Sequence, residues 1–112
     1  MTTLSRDTLH ILVALADRDR HGYSIMLDVA ERTGGRIRLS PSSLYSAIAR
    51  LLEAGYIEEL DERPDPAHDD ERRRYYRITK PGRLAAIEES RRLQELLTDA
   101  RACGLVPRKS SS

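Results

Sequence analysis

The chain has 112 residues, 39% hydrophobic and 33% charged, with a formal net charge of +1. That is enough for one domain with a small core and leaves little for a catalytic cleft. A single cysteine, Cys103, excludes an intrachain disulfide and offers no zinc spacing, so it reads as a small apolar helix residue. No N-terminal run resembles a signal peptide, and no stretch approaches the roughly 20 apolar residues that span a bilayer, so a cytoplasmic protein with no membrane partner is expected.

Between Arg6 and Ala16, the residues Leu9, Ile11, Leu12, Val13, Ala14, Leu15 and Ala16 are apolar on nearly every side of a helix. Such a helix needs cover on more than one face, and a second subunit is the expected source. After the polar break Asp17-Arg18-Asp19-Arg20, a second helix runs from His21 with Gly22, Ile25, Met26 and Val29 on one face, and Gly34-Gly35 ends it. Arg36-Ile37-Arg38-Leu39 alternates like a short strand with Ile37 and Leu39 inward. His10, His21 and His68 have no spacing suited to a shared metal, and helix capping is the better role for His21.

A third helix is predicted over Pro41 to Ala54. Ser40 can cap its N-terminus, Pro41 suits its first position, and Gly55 stops it. On a wheel, Leu44, Ile48, Leu51 and Leu52 fall on one side, and Ser42, Ser43, Ser46, Ala49 and Arg50 on the other. A small, polar outer face lets a backbone approach a major groove, with hydroxyls and Arg50 in reach of bases or phosphates. Tyr56-Ile57-Glu58-Glu59-Leu60 and Arg74-Tyr75-Tyr76-Arg77-Ile78 then form two β-rich runs around a Pro/Asp loop, a hairpin or "wing". The fold class is therefore mainly α with a small β-hairpin: a winged helix-turn-helix, expected to bind DNA.

The near-neutral total charge hides a sharp division. Residues 61–71 hold six carboxylates and one arginine; residues 72–83 hold six cations, Arg72, Arg73, Arg74, Arg77, Lys80 and Arg83, and no carboxylate. Local charge near phosphates counts more than the total, because screening erases charge beyond about 8–10 Å. The competing reading pairs these charges across the wing.

After Ile78, Thr79 can cap a long last helix with Pro81 in its first turn. Leu84 and Ile87 share one azimuth and are expected to pack on the wing and core. Leu93, Leu96, Leu97 and Ala100 cluster about half a turn away, an apolar seam with nothing left in the chain to cover it. A two-fold homodimer is the expected cover. The resulting division is 1–79 for the winged helix-turn-helix, 80–104 for a dimerisation helix and 105–112 for a disordered tail.

His21-Gly22-Tyr23, Ser42-Ser43-Leu44-Tyr45, the run from Arg50 to Ile57 and the run from Arg73 to Thr79 stand in an order that resembles the PadR family of bacterial transcriptional regulators. The likeness covers about residues 5 to 103 and points to the short subfamily, whose single C-terminal helix makes the dimer. It implies a repressor on an inverted-repeat promoter site, released by a small molecule or other signal. It also implies Tyr23 and Tyr45 near the phosphate backbone, Ser42, Ser43 and Ser46 at the groove, and Arg73 and Arg74 at the flanking backbone or minor groove.

Two features depart from the family pattern. The wing tip, residues 64–71, is long and acidic where family wings are typically shorter and basic. The chain has no Trp and no Phe, whereas some drug-sensing members hold flat aromatic ligands between Trp side chains. Of the rival classes, a winged-helix module that binds protein instead of DNA would use the wing as an acidic docking loop. An enzyme finds no support: no metal cluster, phosphate-binding glycine loop or paired carboxylates, and no cofactor is expected.

Overall fold

The computed structural model describes residues 4–60 and 74–107. Four helices, α1 (Arg6–Asp17), α2 (Gly22–Arg32), α3 (Pro41–Ala54) and α4 (Lys80–Ala102), surround a small antiparallel sheet of β1 (Arg20–His21), β2 (Ile57–Glu59) and β3 (Tyr75–Ile78). The strand order is β1-β3-β2, with Arg20 opposite Tyr76 and Ile57 opposite Ile78. The core joins Ile11, Leu12, Ala14 and Leu15 of α1, Ile25 and Val29 of α2, Leu44, Ala47, Ile48 and Leu51 of α3, and Ile57, Tyr76 and Ile78 of the sheet. No helix among the described residues is long and apolar enough to cross a membrane.

Each helix begins on a side-chain cap that satisfies an orphan N–H of its first turn. Ser5 accepts from Thr8, His21 Nδ1 from Ser24 at 3.1 Å, Ser40 from Ser43 and Thr79 from Gly82. The α1–α2 junction is held by Arg20, whose nearly buried guanidinium donates to the Ala14 carbonyl (3.0 Å) and Ser24 Oγ (3.2 Å) and pairs with Asp17 (2.9 Å) and Asp28 (3.0 Å). Arg32 reaches the same carboxylates from the end of α2.

Four sequence expectations need correction. Residues 36–39 are not a strand: Leu39 is buried and Ile37 half-buried, but the Arg36 and Ile37 N–H groups donate to Thr33 and no strand among the described residues pairs with them. The third strand is instead Arg20–His21, inside the polar break, too short for any alternation to show. In α3, Ala47 takes the core place expected of Leu52, which is exposed, because the helix turns its Leu44–Leu51 side inward. α1 finds its cover within the chain, against α2, α3, α4 and β3, and exposes only Val13 of its large apolar residues.

The fourth correction concerns α4. Leu84 and Ile87, expected on the core, are 57% and 63% exposed, and Gly82 and Ala86 face the body instead. α4 approaches so closely that a Cβ at Gly82 would overlap the Tyr56 carbonyl. α4 ends at Ala102, and the turn after it is closed by Gly104, with φ 75°, and by the Leu105 N–H returning to the Ala100 carbonyl at 2.8 Å. The expected tail is described only to residue 107.

Because the atom opposing Gly82 is backbone and cannot swing aside, Gly82→Ala is expected to cost about 3 kcal/mol or more. Urea denaturation checks this, and an unchanged midpoint would contradict the close approach.

Candidate nucleic-acid interface

The Ser40 cap and Pro41 start α3, and Gly55, at φ 78°, ends it with a left-handed turn that a Cβ would strain. The buried side of α3 leaves Ser42, Ser43, Tyr45, Ser46, Ala49 and Arg50 all exposed, as the wheel predicts. Ser42, Ser46, Ala49 and Glu53 fall within a strip of about 60°, with Arg50 on one flank and Tyr45 on the other. Ser43 is the least available of the serines, since its hydroxyl accepts from Ser40 at 3.0 Å. Among the described residues the Ser42 and Ser46 hydroxyls make no side-chain hydrogen bond, which leaves them open to an external partner.

Tyr23 on α2 and Tyr45 on α3 are both more than half exposed, and Tyr45 flanks this strip. The Tyr45 phenol lies over Gly22, where a Cβ would come within 2.7 Å of Oη. The glycine of one sequence motif thus makes room for the tyrosine of the next, a contact between the two helices that neither motif shows alone. On β3, Tyr76 is buried and its phenol pKa is raised, by burial first and then by the charges of Glu59 and Tyr45. His21 meets Tyr75 edge-on, with ring centroids 5.2 Å apart.

The wing arginines are less free than their sequence suggests. Arg77 donates from both Nε and Nη2 to Asp19, at 3.0 Å for the shorter contact, and lies 3.9 Å from Glu58 across the strand pair. The hydrogen bond and charge of Asp19 raise the Arg77 pKa further above its ordinary value. Arg74 lies 3.5 Å from Glu59. Arg74 thus pairs across the two strands, whereas Arg77 pairs chiefly with Asp19, outside the wing; the anionic loop of the competing reading lies outside the described residues. Nothing in the sequence signals Asp19 as a partner, because 58 residues separate it from Arg77. Arg72, Arg73 and the acidic tip lie outside the described residues.

Among the described residues no three His, Cys, Asp or Glu side chains gather as a metal site. What the surface presents is a capped helix with a small polar face, exposed phenols on α2 and α3, and the wing strand β2 packed against α3. The family model for transcriptional regulators of the PadR-like family matches residues 11–88. The chain belongs to the PadR-like family. It is 39% identical over 88 residues to the transcriptional regulator Rv3488 of Mycobacterium tuberculosis, covering 79% of this chain and 76% of that protein. A PadR family transcription regulator from Clostridium difficile superposes with a TM-score of 0.75 at 20% identity, over 88% of this chain and 97% of that one. A transcriptional regulator from Clostridium thermocellum gives 0.66 at 27% identity, over 90% and 92%.

This PadR-like chain is therefore a transcriptional regulator on a winged helix-turn-helix, as its sequence motifs imply. Its α2–α3 contact is open to test. Gly22→Ala is expected to displace the half-exposed Tyr45 ring at a cost within about 1 kcal/mol, because a ring at the surface can swing aside. The Tyr45 ring resonances in NMR spectra should move while the fold is kept. Unchanged resonances would contradict the contact.

Proposed function

We propose that this PadR-like regulator acts as a homodimeric repressor on an inverted-repeat operator and is released by a small-molecule or other signal. Residues 1–79 serve as the reader and residues 80–104 as the dimeriser. The observation that carries the reading is the exposed face of α3: Ser42, Ser46 and Ala49 are small enough for close approach to base edges, and Arg50 flanks them as a guanine or phosphate donor. Ser43 is assigned to the groove with them, Tyr23 and Tyr45 to the phosphate backbone, and Arg73 and Arg74 to the flanking backbone or minor groove. Phosphate contacts of this kind fix register, and base contacts give sequence preference.

Support for the dimer comes from α4. Its 23 residues make a rod about 35 Å long. Leu84, Ile87, Leu96 and Leu97 lie 46–63% exposed along it, with Leu93 and Ala100 half-buried, an amount of apolar surface that a second copy would cover. Since both Leu84/Ile87 and the distal seam are open, the dimer contact uses more of α4 than the sequence suggests. The effector's room is an open groove of about 470 Å³ between the end of α1 and α4, lined by Ala16, Ile78, Ala86, Ile87, Ser90 and Gln94 among others. A molecule seated there touches the same helix that sets the spacing of the two readers.

Leu96 and Leu97 contribute little to the subunit's own core, so changing both to Glu should leave helix content intact while converting dimer to monomer. Analytical ultracentrifugation at micromolar concentration reads this, and a monomeric wild type would overturn the dimer.

Binding should be specific and salt-sensitive, to a duplex whose half-sites lie about one helical turn apart. Ser46→Glu places a carboxylate on the reading strip without touching the core and should reduce specific affinity by at least about a hundredfold, since an unpaired charge against phosphates costs several kcal/mol. Unchanged affinity with an unchanged circular dichroism spectrum would remove α3 as the reader.

A further inference from the structure

The strand register divides the wing arginines between two faces. Glu58 stands opposite Arg77, and Glu59 opposite Tyr76. Tyr76 and Ile78 point inward, whereas Arg77 points out, so Arg77, Glu58 and Asp19 share the outer face of the sheet. Arg74 has the parity of Tyr76, and so does Glu59 by register; their pair therefore lies on the Tyr76 face of the sheet, at the end of β2, the strand that packs against α3. The two arginines also differ in how they are held. Arg77 is bound through two nitrogens to an Asp19 side chain that is 29% exposed, whereas Arg74, among the described residues, has one 3.5 Å contact and remains 73% exposed. An exposed single contact of that length contributes little and exchanges readily for another anion.

From this division we infer that Glu59 is a positioning residue for DNA binding, a carboxylate that occupies Arg74 beside the reading helix until a backbone phosphate takes its place. Arg77 is instead a structural tie between β3 and the end of α1. Glu59 thereby sets how much of the affinity comes from sequence-independent phosphate contact. When Arg74 moves to a phosphate, Glu59 is left unpaired near the duplex, which offsets part of the counterion release that Arg74 would otherwise produce. This rests on the proposed DNA-binding reading.

The test is a double-mutant cycle on the full-length protein, with one duplex recovered by selection and one unrelated duplex, each titrated across a salt series. Glu59→Gln should tighten binding to the unrelated duplex at low salt by a few-fold, up to about fivefold per subunit, the range of an exposed ion pair. It should also steepen the slope of log affinity against log salt by up to about one unit per subunit. The gain should be several-fold smaller in an Arg74→Ala background. Arg77→Ala should lower the melting temperature and leave the slope unchanged. If wild type binds neither duplex, the DNA-binding reading itself fails. If wild type binds and Glu59→Gln gains equally in both backgrounds, Glu59 is only a repulsive charge and the inference is overturned. A steeper change in slope for Arg77→Ala than for Arg74→Ala would overturn the division of roles.

Discussion

The junction of Gly55, Thr79 and Gly82 is the constraint on which the rest of the arrangement depends. Thr79 donates its hydroxyl to the Gly55 carbonyl at 2.6 Å and its N–H to the Tyr56 carbonyl at 3.0 Å, and its oxygen also accepts from the Gly82 N–H at 3.2 Å. One side chain thus joins the exit of α3 to the entry of α4. Gly55 supplies the left-handed turn that sends the chain into β2, and Gly82 allows α4 to lie directly on that turn. The direction of α4 is set within one turn of where α3 ends. In a dimer built on α4, the same junction would therefore relay the dimer geometry to the separation of the two reading helices, with no long mechanical path between them.

A second theme is the placement of carboxylates. With nearly balanced charge, the chain does not attract a polyanion through its total field. Its arginines fall into classes by their surroundings. Arg20 is nearly buried among Asp17, Asp28 and two neutral acceptors and serves the α1–α2 packing. Arg77 is tied to Asp19 on the outer sheet face, while Arg50 and Arg74 remain open to solvent near α3. A count of cations between residues 72 and 83 treats these as one strip; the alternation of a strand separates them onto opposite faces.

How much of this was legible in the sequence follows from the range of each interaction. The limits of α3, Pro41 and Ala54, can be read because cap, proline and terminal glycine act within four residues of the helix ends. The roles of Ser5, His21, Ser40 and Thr79 are local in the same sense, although the Ser5 cap was not singled out. β1 was not legible, since its two polar residues pair with a strand more than 50 positions away. Nor was the exposure of Leu84 and Ile87. A helical wheel gives the azimuth of apolar residues but not which side meets the body, and here the closest approach selects Gly82 over any leucine. Leu52 and Ala47 exchanged places for a related reason: the depth of packing, not hydrophobicity alone, decides which residue is central. The family motifs located α3, the two tyrosines and the wing strands, but the Gly22–Tyr45 contact and the pairing of Arg74 and Arg77 required three dimensions.

The central claim is that the small-residue face of α3 enters a major groove in an orientation set by α4. The most direct measurement is a crystal structure of the protein on a duplex selected from random sequence. It should show two subunits related by a two-fold axis, Ser42, Ser46 and Ala49 of each against base edges, and their α3 helices about 34 Å apart, one turn of B-form DNA. A complex in which the duplex is bound elsewhere while Ser42, Ser46 and Ala49 face solvent would contradict the account.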